Sequence, residues 1–143
     1  MVDSFNNWFF FIIYLLNLAG GGYYAYQSVL NTNSFLEKYG IHQSAVLPGR
    51  LAGSFVLSTV LVGVYLLFRG VEGTWTYFVI LFLQSLIFTI LGYFTVKSSE
   101  ASEMEGVNYT SEAYLAPAIF TVSNGLLIYG LSDKIYGWFL ILR

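Results

Sequence analysis

The segment WTYFVILFLQSLIFTILGYFTV, residues 75–96, decides the fold of this chain. It contains no Asp, Glu, Lys, Arg or His, and Gln84 is its most polar side chain. A helix needs about 20 mostly apolar residues, rising 1.5 Å each, to cross roughly 30 Å of hydrocarbon. The segment has that length, so we predict that it spans a membrane.

Three other apolar runs have similar length. They cover residues 8–30, 47–68 and 113–131. Their polar and apolar residues do not alternate as they would in strands, and Pro48 and Pro117 are expected in first helical turns. We therefore predict an all-α fold, an integral membrane bundle of four transmembrane helices with short connections. We expect residues 1–143 to form a single transmembrane domain with an apolar C-terminal tail at 135–142.

The composition supports a chain surrounded by lipid. Of its 143 residues, 57% are hydrophobic and 10% are charged. A soluble domain carries about 25% charged residues because water covers its surface. The net charge of -2 favours no nucleic-acid partner, and the absence of Cys excludes disulfides and thiolate sites. Membrane lipid is the first expected partner.

The loops define two sides of the predicted bundle. Each side has the same number of basic residues, Arg69, Lys134 and Arg143 against Lys38, Arg50 and Lys97. The rule that basic residues face the cytoplasm therefore does not decide the orientation. The second side also holds most of the Glu residues, and Arg50 is expected to be neutralised or buried. We accordingly expect both termini in the cytoplasm.

Amides interrupt three of the apolar runs, at Asn17, Gln84 and Asn124. In lipid, helices associate by close packing and by hydrogen bonds between helices. One interpretation is that the three amides and the small residues around them only tie the helices together. The other is that they converge on a polar cavity that holds the headgroup of a ligand. These three residues and Arg50 are the candidate residues for ligand or helix contact.

Arg50 is the charged residue nearest to the inside of a predicted span. It lies close enough to the end of the span for its side chain to reach the interface. There it would bind a lipid phosphate or pair with a loop carboxylate such as Glu37. The sharper hypothesis makes Arg50 the anchor of an anionic ligand.

The sequence shows no catalytic or metal constellation. His42 is the only His, and it lies in a connection. The third connection, residues 97–112, contains an acidic cluster of Glu100, Glu103, Glu105 and Glu112. This cluster lacks the ligand pattern of an EF-hand loop, and no second polar partner near His42 supports a catalytic triad. We therefore expect no enzyme activity, no metal and no resident cofactor, although a quinone or a lipid could bind.

The segment SFLEKYGI, residues 34–41, is followed by GRLAG, residues 49–53, at the start of an apolar helix. With the short turn into the next helix, this arrangement resembles the DoxX-like group of small four-helix membrane proteins over about half of the chain. The resemblance implies a four-helix fold and, from a few members, a link to quinone-coupled oxidation of sulfur compounds. It assigns no catalytic residue. The acidic third connection and the aromatic tail depart from the pattern.

Two main hypotheses of function follow. The first is a non-catalytic accessory or structural subunit whose helices and apolar tail pack against other transmembrane subunits or copies of itself. The alternative is a membrane protein that binds a small molecule, lipid or quinone between its helices, and a redox-linked role is one form of this alternative. An oligomeric channel would instead need a polar stripe facing a shared axis.

Overall fold

The computed structural model describes residues 2–137, and all regular structure in this range is helical. This confirms the predicted all-α fold. The described α-helices are α1 (Trp8–Ala25), α2 (Thr32–Lys38), α3 (Val46–Arg69), α4 (Trp75–Ser98), α5 (Glu112–Gly130) and α6 (Ser132–Ile135). Short 3-10 turns lie at Val2–Phe5, Gln43–Ala45 and Glu100–Ser102, and a π-helical turn, Tyr26–Leu30, continues α1.

Within residues 2–137, four stretches are long and apolar enough to cross a membrane. They are Trp8–Leu30, Gln43–Arg69, Trp75–Ser98 and Glu112–Gly130, and the four predicted runs fall on them. Many large apolar side chains on these stretches are exposed, among them Leu16, Phe55 and Ile119. Such a surface is favourable in lipid and costly in water. The chain is therefore compatible with an integral membrane protein.

The described ends of the chain meet at one end of the bundle, which we call the terminal end. The Asn6 side-chain amide donates to the Gly130 carbonyl at 2.9 Å, and the Gly73 amide donates to the Lys134 carbonyl at 3.2 Å. At the opposite end, the loop end, the Asn108 amide donates to the Tyr39 carbonyl at 2.9 Å. Consecutive spanning helices therefore run antiparallel between these two ends.

The best packed part of the molecule lies at the terminal end. Its buried cluster comprises Phe5, Phe11, Tyr14, Val71, Phe78, Leu127, Leu131 and Ile135. Ile135 begins the predicted apolar tail and is fully buried, and Tyr136 stacks on Trp75 with ring centroids 6.1 Å apart. The first two tail residues therefore pack on their own chain. Residues 138–142 of the predicted tail lie outside the described residues.

The helices pack unequally around the bundle. α4 packs most closely against α5, and α3 packs against α1 and its π-helical turn. A Cβ on Gly92 of α4 would overlap the Ala113 carbonyl oxygen of α5, so these two backbones are in direct contact. By contrast, α3 and α4 have almost no close backbone contact within the described chain, although one short turn joins them.

Pro117 lies farther inside its helix than the sequence predicted. α5 begins at Glu112, which places Pro117 in the second turn rather than the first. Proline has no amide hydrogen, so it cannot donate to the Ala113 carbonyl four residues earlier. That carbonyl faces Gly92, where no side chain keeps α4 away. Close packing against α4 accommodates the proline, as neighbouring helices do in membrane proteins.

Candidate functional site

A cavity of about 880 Å3 lies between α1, α3, α4 and α5. It extends from Tyr14 and Tyr77 towards Lys38 and Glu112 at the loop end. Along α5, residues 112 and 124 both line it, which corresponds to about 18 Å of helix at 1.5 Å per residue. Much of the wall is apolar, and its apolar residues include Val56, Val60, Leu81, Phe88, Leu91, Pro117 and Phe120.

The cavity follows from the unequal packing of the helices. Gly53 of α3 lies so close to Ser28 that a Cβ would overlap the Ser28 hydroxyl, which fixes α3 against the end of α1. Gly92 and Ala113 fix α4 against α5 in the same way. The two close pairs, α1 with α3 and α4 with α5, leave space between them, and that space is the cavity.

Two of the predicted amides form a hydrogen-bonded group in the cavity wall. The Ser123 hydroxyl donates to Asn17 Oδ1 at 2.7 Å, and Asn17 Nδ2 donates to Asn124 Oδ1 at 3.3 Å. These bonds join α1 to α5. Asn124 is only 3% exposed, and its Nδ2, which has no hydrogen-bond acceptor within residues 2–137, is accessible at the cavity wall rather than fully buried. The group therefore ends in an unused donor.

Gln84 is the second source of unused hydrogen-bonding capacity. Its side chain is half-buried and lines the cavity from α4, and its oxygen and nitrogen, which make no hydrogen bond in the described part of the chain, are accessible rather than fully buried. An amide in an apolar environment without a partner costs about 1–3 kcal/mol by mutational measures. The cavity thus presents a free hydrogen-bond donor at Asn124, and a free donor and a free acceptor at Gln84.

Two tyrosines are hydrogen-bonded across helices at the end of the cavity nearest the buried cluster. The Tyr14 hydroxyl donates to the Gly63 carbonyl at 2.8 Å, and the Tyr77 hydroxyl donates to the Thr59 carbonyl at 3.1 Å. Both acceptors are main-chain carbonyls of α3, so these bonds connect α1 and α4 to the same helix. Tyr14 is 1% exposed and belongs to the buried cluster, so this end of the cavity is closed by packed side chains.

Charged residues line the loop end of the cavity. Lys38 Nζ donates to Glu112 Oε2 at 2.9 Å, and the Tyr39 hydroxyl donates to the same oxygen at 3.2 Å. Lys38 Nζ also lies 5.1 Å from the centre of the Tyr39 ring. Hydrogen bonding to Glu112 and then to Tyr39 raises the pKa of Lys38. The lysine is therefore a protonated donor at neutral pH.

A turn holds this polar cluster in place. Gly40 has a φ of +64°, which favours glycine, and a Cβ there would overlap the Gly106 carbonyl oxygen. The third connection therefore lies directly on the turn after α2. Together with the bond from Asn108 to Tyr39, this contact keeps α2 over the loop end of the cavity.

The structure brings Asn17, Gln84 and Asn124 to one cavity and places Arg50 elsewhere. Arg50 Nε donates to Thr32 Oγ1 at 3.3 Å, and Arg50 does not line the cavity. The sequence predicted that Arg50 either binds a lipid phosphate or pairs with Glu37. The pairing with Glu37 is not seen, since no ion pair within 4.0 Å joins the two side chains among the described residues. An exposed guanidinium near the helix end remains available to lipid phosphate.

His42 has a local structural contact. Its Nδ1 accepts a hydrogen bond from the Ser44 amide at 3.1 Å and thereby caps the turn before α3. Within residues 2–137, no three His, Cys, Asp or Glu side chains are grouped closely enough to hold a metal ion.

Comparisons with protein-family models, curated proteins and solved structures gave no significant match.

Sequence reasoning missed several residues of the site. Tyr14 precedes Asn17 by one helical turn and therefore belongs to the same helix face, so this spacing could have identified it. Ser123 is adjacent to Asn124 and could have been considered with it. Lys38 and Glu112 are 74 residues apart, and no local pattern pairs them.

Proposed function

We propose that this chain is a membrane protein that binds one elongated, mostly apolar molecule inside its helix bundle. The molecule carries a neutral hydrogen-bonding group and belongs to the lipid or quinone-like class. The observation that carries the proposal is the cavity of about 880 Å3 with two unsatisfied amides in its wall, Gln84 and Asn124. A site of about 300–1,000 Å3, mainly apolar with a few polar groups, is typical of small-molecule binding.

The free groups define the chemistry of the ligand. Asn124 Nδ2 offers a donor, and Gln84 offers a donor and an acceptor. Because neither residue is charged, a neutral acceptor such as a carbonyl or ether oxygen fits better than a carboxylate. The apolar walls on either side, including Phe88 and Phe120, match a hydrocarbon or ring system. A ligand of this kind satisfies the amides that the helices leave unpaired.

This proposal replaces the first hypothesis as our favoured function. Hydrogen bonds between helices involve only some of the polar side chains around the cavity. Asn17 and Ser123 are hydrogen-bonded across helices, whereas Gln84 is not. The bond from Asn17 to Asn124 fits a role in tying helices together, whereas Gln84 has no such partner in the described chain. A role as an accessory subunit stays a prediction, and a redox role of the bound molecule also stays a prediction.

The test is to look for a bound molecule in the purified protein. Organic extraction and native mass spectrometry of protein in mild detergent should reveal a stoichiometric lipid-like ligand. Ala116→Phe adds a ring to a position that lines the cavity, and the ligand should be lost. Val122→Phe adds the same ring on α5 at a position that is 65% exposed and outside the cavity, and the ligand should be kept.

Two results would refute the proposal. One is the absence of any specific ligand both in the purified protein and after incubation with total membrane lipid and quinone extracts. The other is equal ligand content in the two phenylalanine variants, which would place the molecule on the outer surface. Gel filtration and circular dichroism establish beforehand that both variants are folded.

A further inference from the structure

Three pairs of neighbouring helices are closed around the cavity. Gly92 and Ala113 bring α4 against α5, and Gly53 and Ser28 bring α3 against the end of α1. The hydrogen bond from Ser123 to Asn17 joins α5 to α1. A molecule moving sideways through any of these three seams would have to separate helices in direct contact.

The fourth seam, between α3 and α4, is different. On its outer side lies a groove of about 400 Å3, lined by Thr59, Ile80, Leu83, Gln84, Ile87 and Phe88. Three of these residues, Thr59, Gln84 and Phe88, also line the inner cavity. The groove and the cavity therefore share a wall made of three side chains, and α3 and α4 have almost no close backbone contact within the described chain.

The groove faces the surface that lipid covers. Ile80 is 50% exposed and Ile87 is 51% exposed, and both lie in the middle part of a spanning helix. Towards the terminal end, the hydrogen bond from Tyr77 to the Thr59 carbonyl connects the two helices. Gln84 and Phe88, which belong to the shared wall, lie farther towards the loop end than Tyr77. Gln84 follows Tyr77 by about two helical turns along α4.

The route through the loop end is polar and held by several bonds. An apolar molecule entering there would pass the ion pair of Lys38 and Glu112 and the contact between Gly40 and Gly106. Removing an apolar molecule from the bilayer into water before entry is also costly, and the cost rises with every CH₂ group that water would surround. Entry from the hydrocarbon avoids this cost.

We propose that the ligand enters and leaves this cavity sideways from the bilayer, through the seam between α3 and α4. The side chains of Gln84 and Phe88 form the threshold, and rotation of these side chains opens the passage without separating the backbones. This inference rests on the proposed function. The lateral route adds to the proposed function that the ligand is a molecule dissolved in the membrane rather than one delivered from water.

The experiment measures how fast a membrane-dissolved probe reaches the cavity. Protein in phosphatidylcholine vesicles is mixed with vesicles that carry methyl palmitate with a mid-chain diazirine, a neutral ester whose carbonyl can accept a hydrogen bond, and light flashes follow at increasing delays. Mass spectrometry then quantifies labels on Ala116 and Phe120, which line the cavity, against labels on Val122 outside it. Wild-type protein should show both, with the cavity labels appearing as the probe enters.

A matched pair of variants tests the route. Ile87→Trp places an indole on the outer groove without altering the inner cavity, and it should slow cavity labelling several-fold. Ile90→Trp makes the same change on α4 at a position that is 46% exposed and lines neither space, and its labelling rate should equal that of wild type. Ile87→Ala enlarges the groove, and cavity labelling should be as fast as wild type or faster.

The outcomes separate this inference from the proposed function. Equal rates for Ile87→Trp and Ile90→Trp, with normal cavity labelling, would overturn the lateral route and retain the binding site. Slowing by Ser34→Trp at the loop end, but not by Ile87→Trp, would overturn it in favour of entry near Lys38. Failure of the wild-type cavity to label at any delay would overturn both proposals. Labelling at Val122 serves as the control for probe supply in every case.

Discussion

Replacement of Gln84 by Leu should increase the stability of the ligand-free protein and weaken ligand binding. Gln84 lines the cavity and has no hydrogen-bond partner within residues 2–137. An unpaired amide in an apolar environment costs about 1–3 kcal/mol, and leucine of similar size does not carry this cost. Ligand-free Gln84→Leu should therefore unfold with a free energy higher by about 1 kcal/mol, allowing for partial solvation of a half-buried side chain.

The effect on binding should have the opposite sign. A hydrogen bond inside a membrane protein contributes about 0.6–1.7 kcal/mol, and every 1.4 kcal/mol is a factor of ten in affinity. Loss of the bond between Gln84 and the ligand should therefore raise the Kd by about 3- to 20-fold. A structural amide would instead lower stability when replaced and change binding only through loss of the fold.

The assay is unfolding in mild detergent, with and without the ligand extracted from the wild-type protein. Titration of that ligand against each variant gives the Kd in the same detergent. Asn17→Leu is the contrasting variant, because it removes the bonds to Ser123 and Asn124. It should destabilise the ligand-free protein by about 1–3 kcal/mol, the cost of polar groups left unpaired. Destabilisation of ligand-free protein by Gln84→Leu as large as that of Asn17→Leu would refute the reasoning.

Four further variants test the packing and the loop end. Gly92→Ala should destabilise the bundle by about 1–3 kcal/mol through overpacking, whereas Gly125→Ala, whose Cβ would lie 3.5 Å from the nearest ring atom, should be tolerated in the same unfolding assay. Ile135→Ala should cost about 2–5 kcal/mol in that assay, because the side chain is fully buried at the terminal end. Glu112→Gln should lower the raised pKa of Lys38, measured by NMR titration. Because that pKa is raised, the stabilisation that protonated Lys38 contributes to the ion pair is fully present below the ordinary lysine pKa. It is lost only as the pH rises through the raised value, so the ion pair persists at neutral pH.

The fold could be predicted from the sequence because the membrane restricts the choice of structure. Lipid requires every backbone polar group to be paired within the segment, so each long apolar run must form a helix. The helix pairing could not be predicted. It depends on small contacts such as Gly92 with Ala113, and many glycines in apolar runs look equally suited to them.

The candidate site was predictable in part. The sequence identifies Asn17, Gln84 and Asn124 as candidates because placing an amide in an apolar run costs free energy, however the helices pack. Arg50 was noticeable for the same reason, yet a long side chain near a helix end can reach the interface and need not enter a cavity. Lys38 and Glu112 look like ordinary loop residues in the sequence. Only the turn at Gly40 and its contact with the third connection bring them together.

The unequal packing of the bundle explains how it can tolerate an unfilled interior. At the terminal end, the buried cluster around Tyr14 and Phe78 and the bonds to α3 carbonyls provide dense packing. Dense packing contributes dispersion energy in lipid, where burial of apolar surface contributes little. The helices are thus fixed at that end, and the two close pairs, α1 with α3 and α4 with α5, can remain apart from each other without dissociating. Open amide groups such as Gln84 and Asn124 Nδ2 can persist in the cavity because the packed end stabilises the positions from which they face it. A bundle whose two close pairs also packed tightly against each other would have no such space, so the unfilled interior is the feature from which we infer a bound molecule.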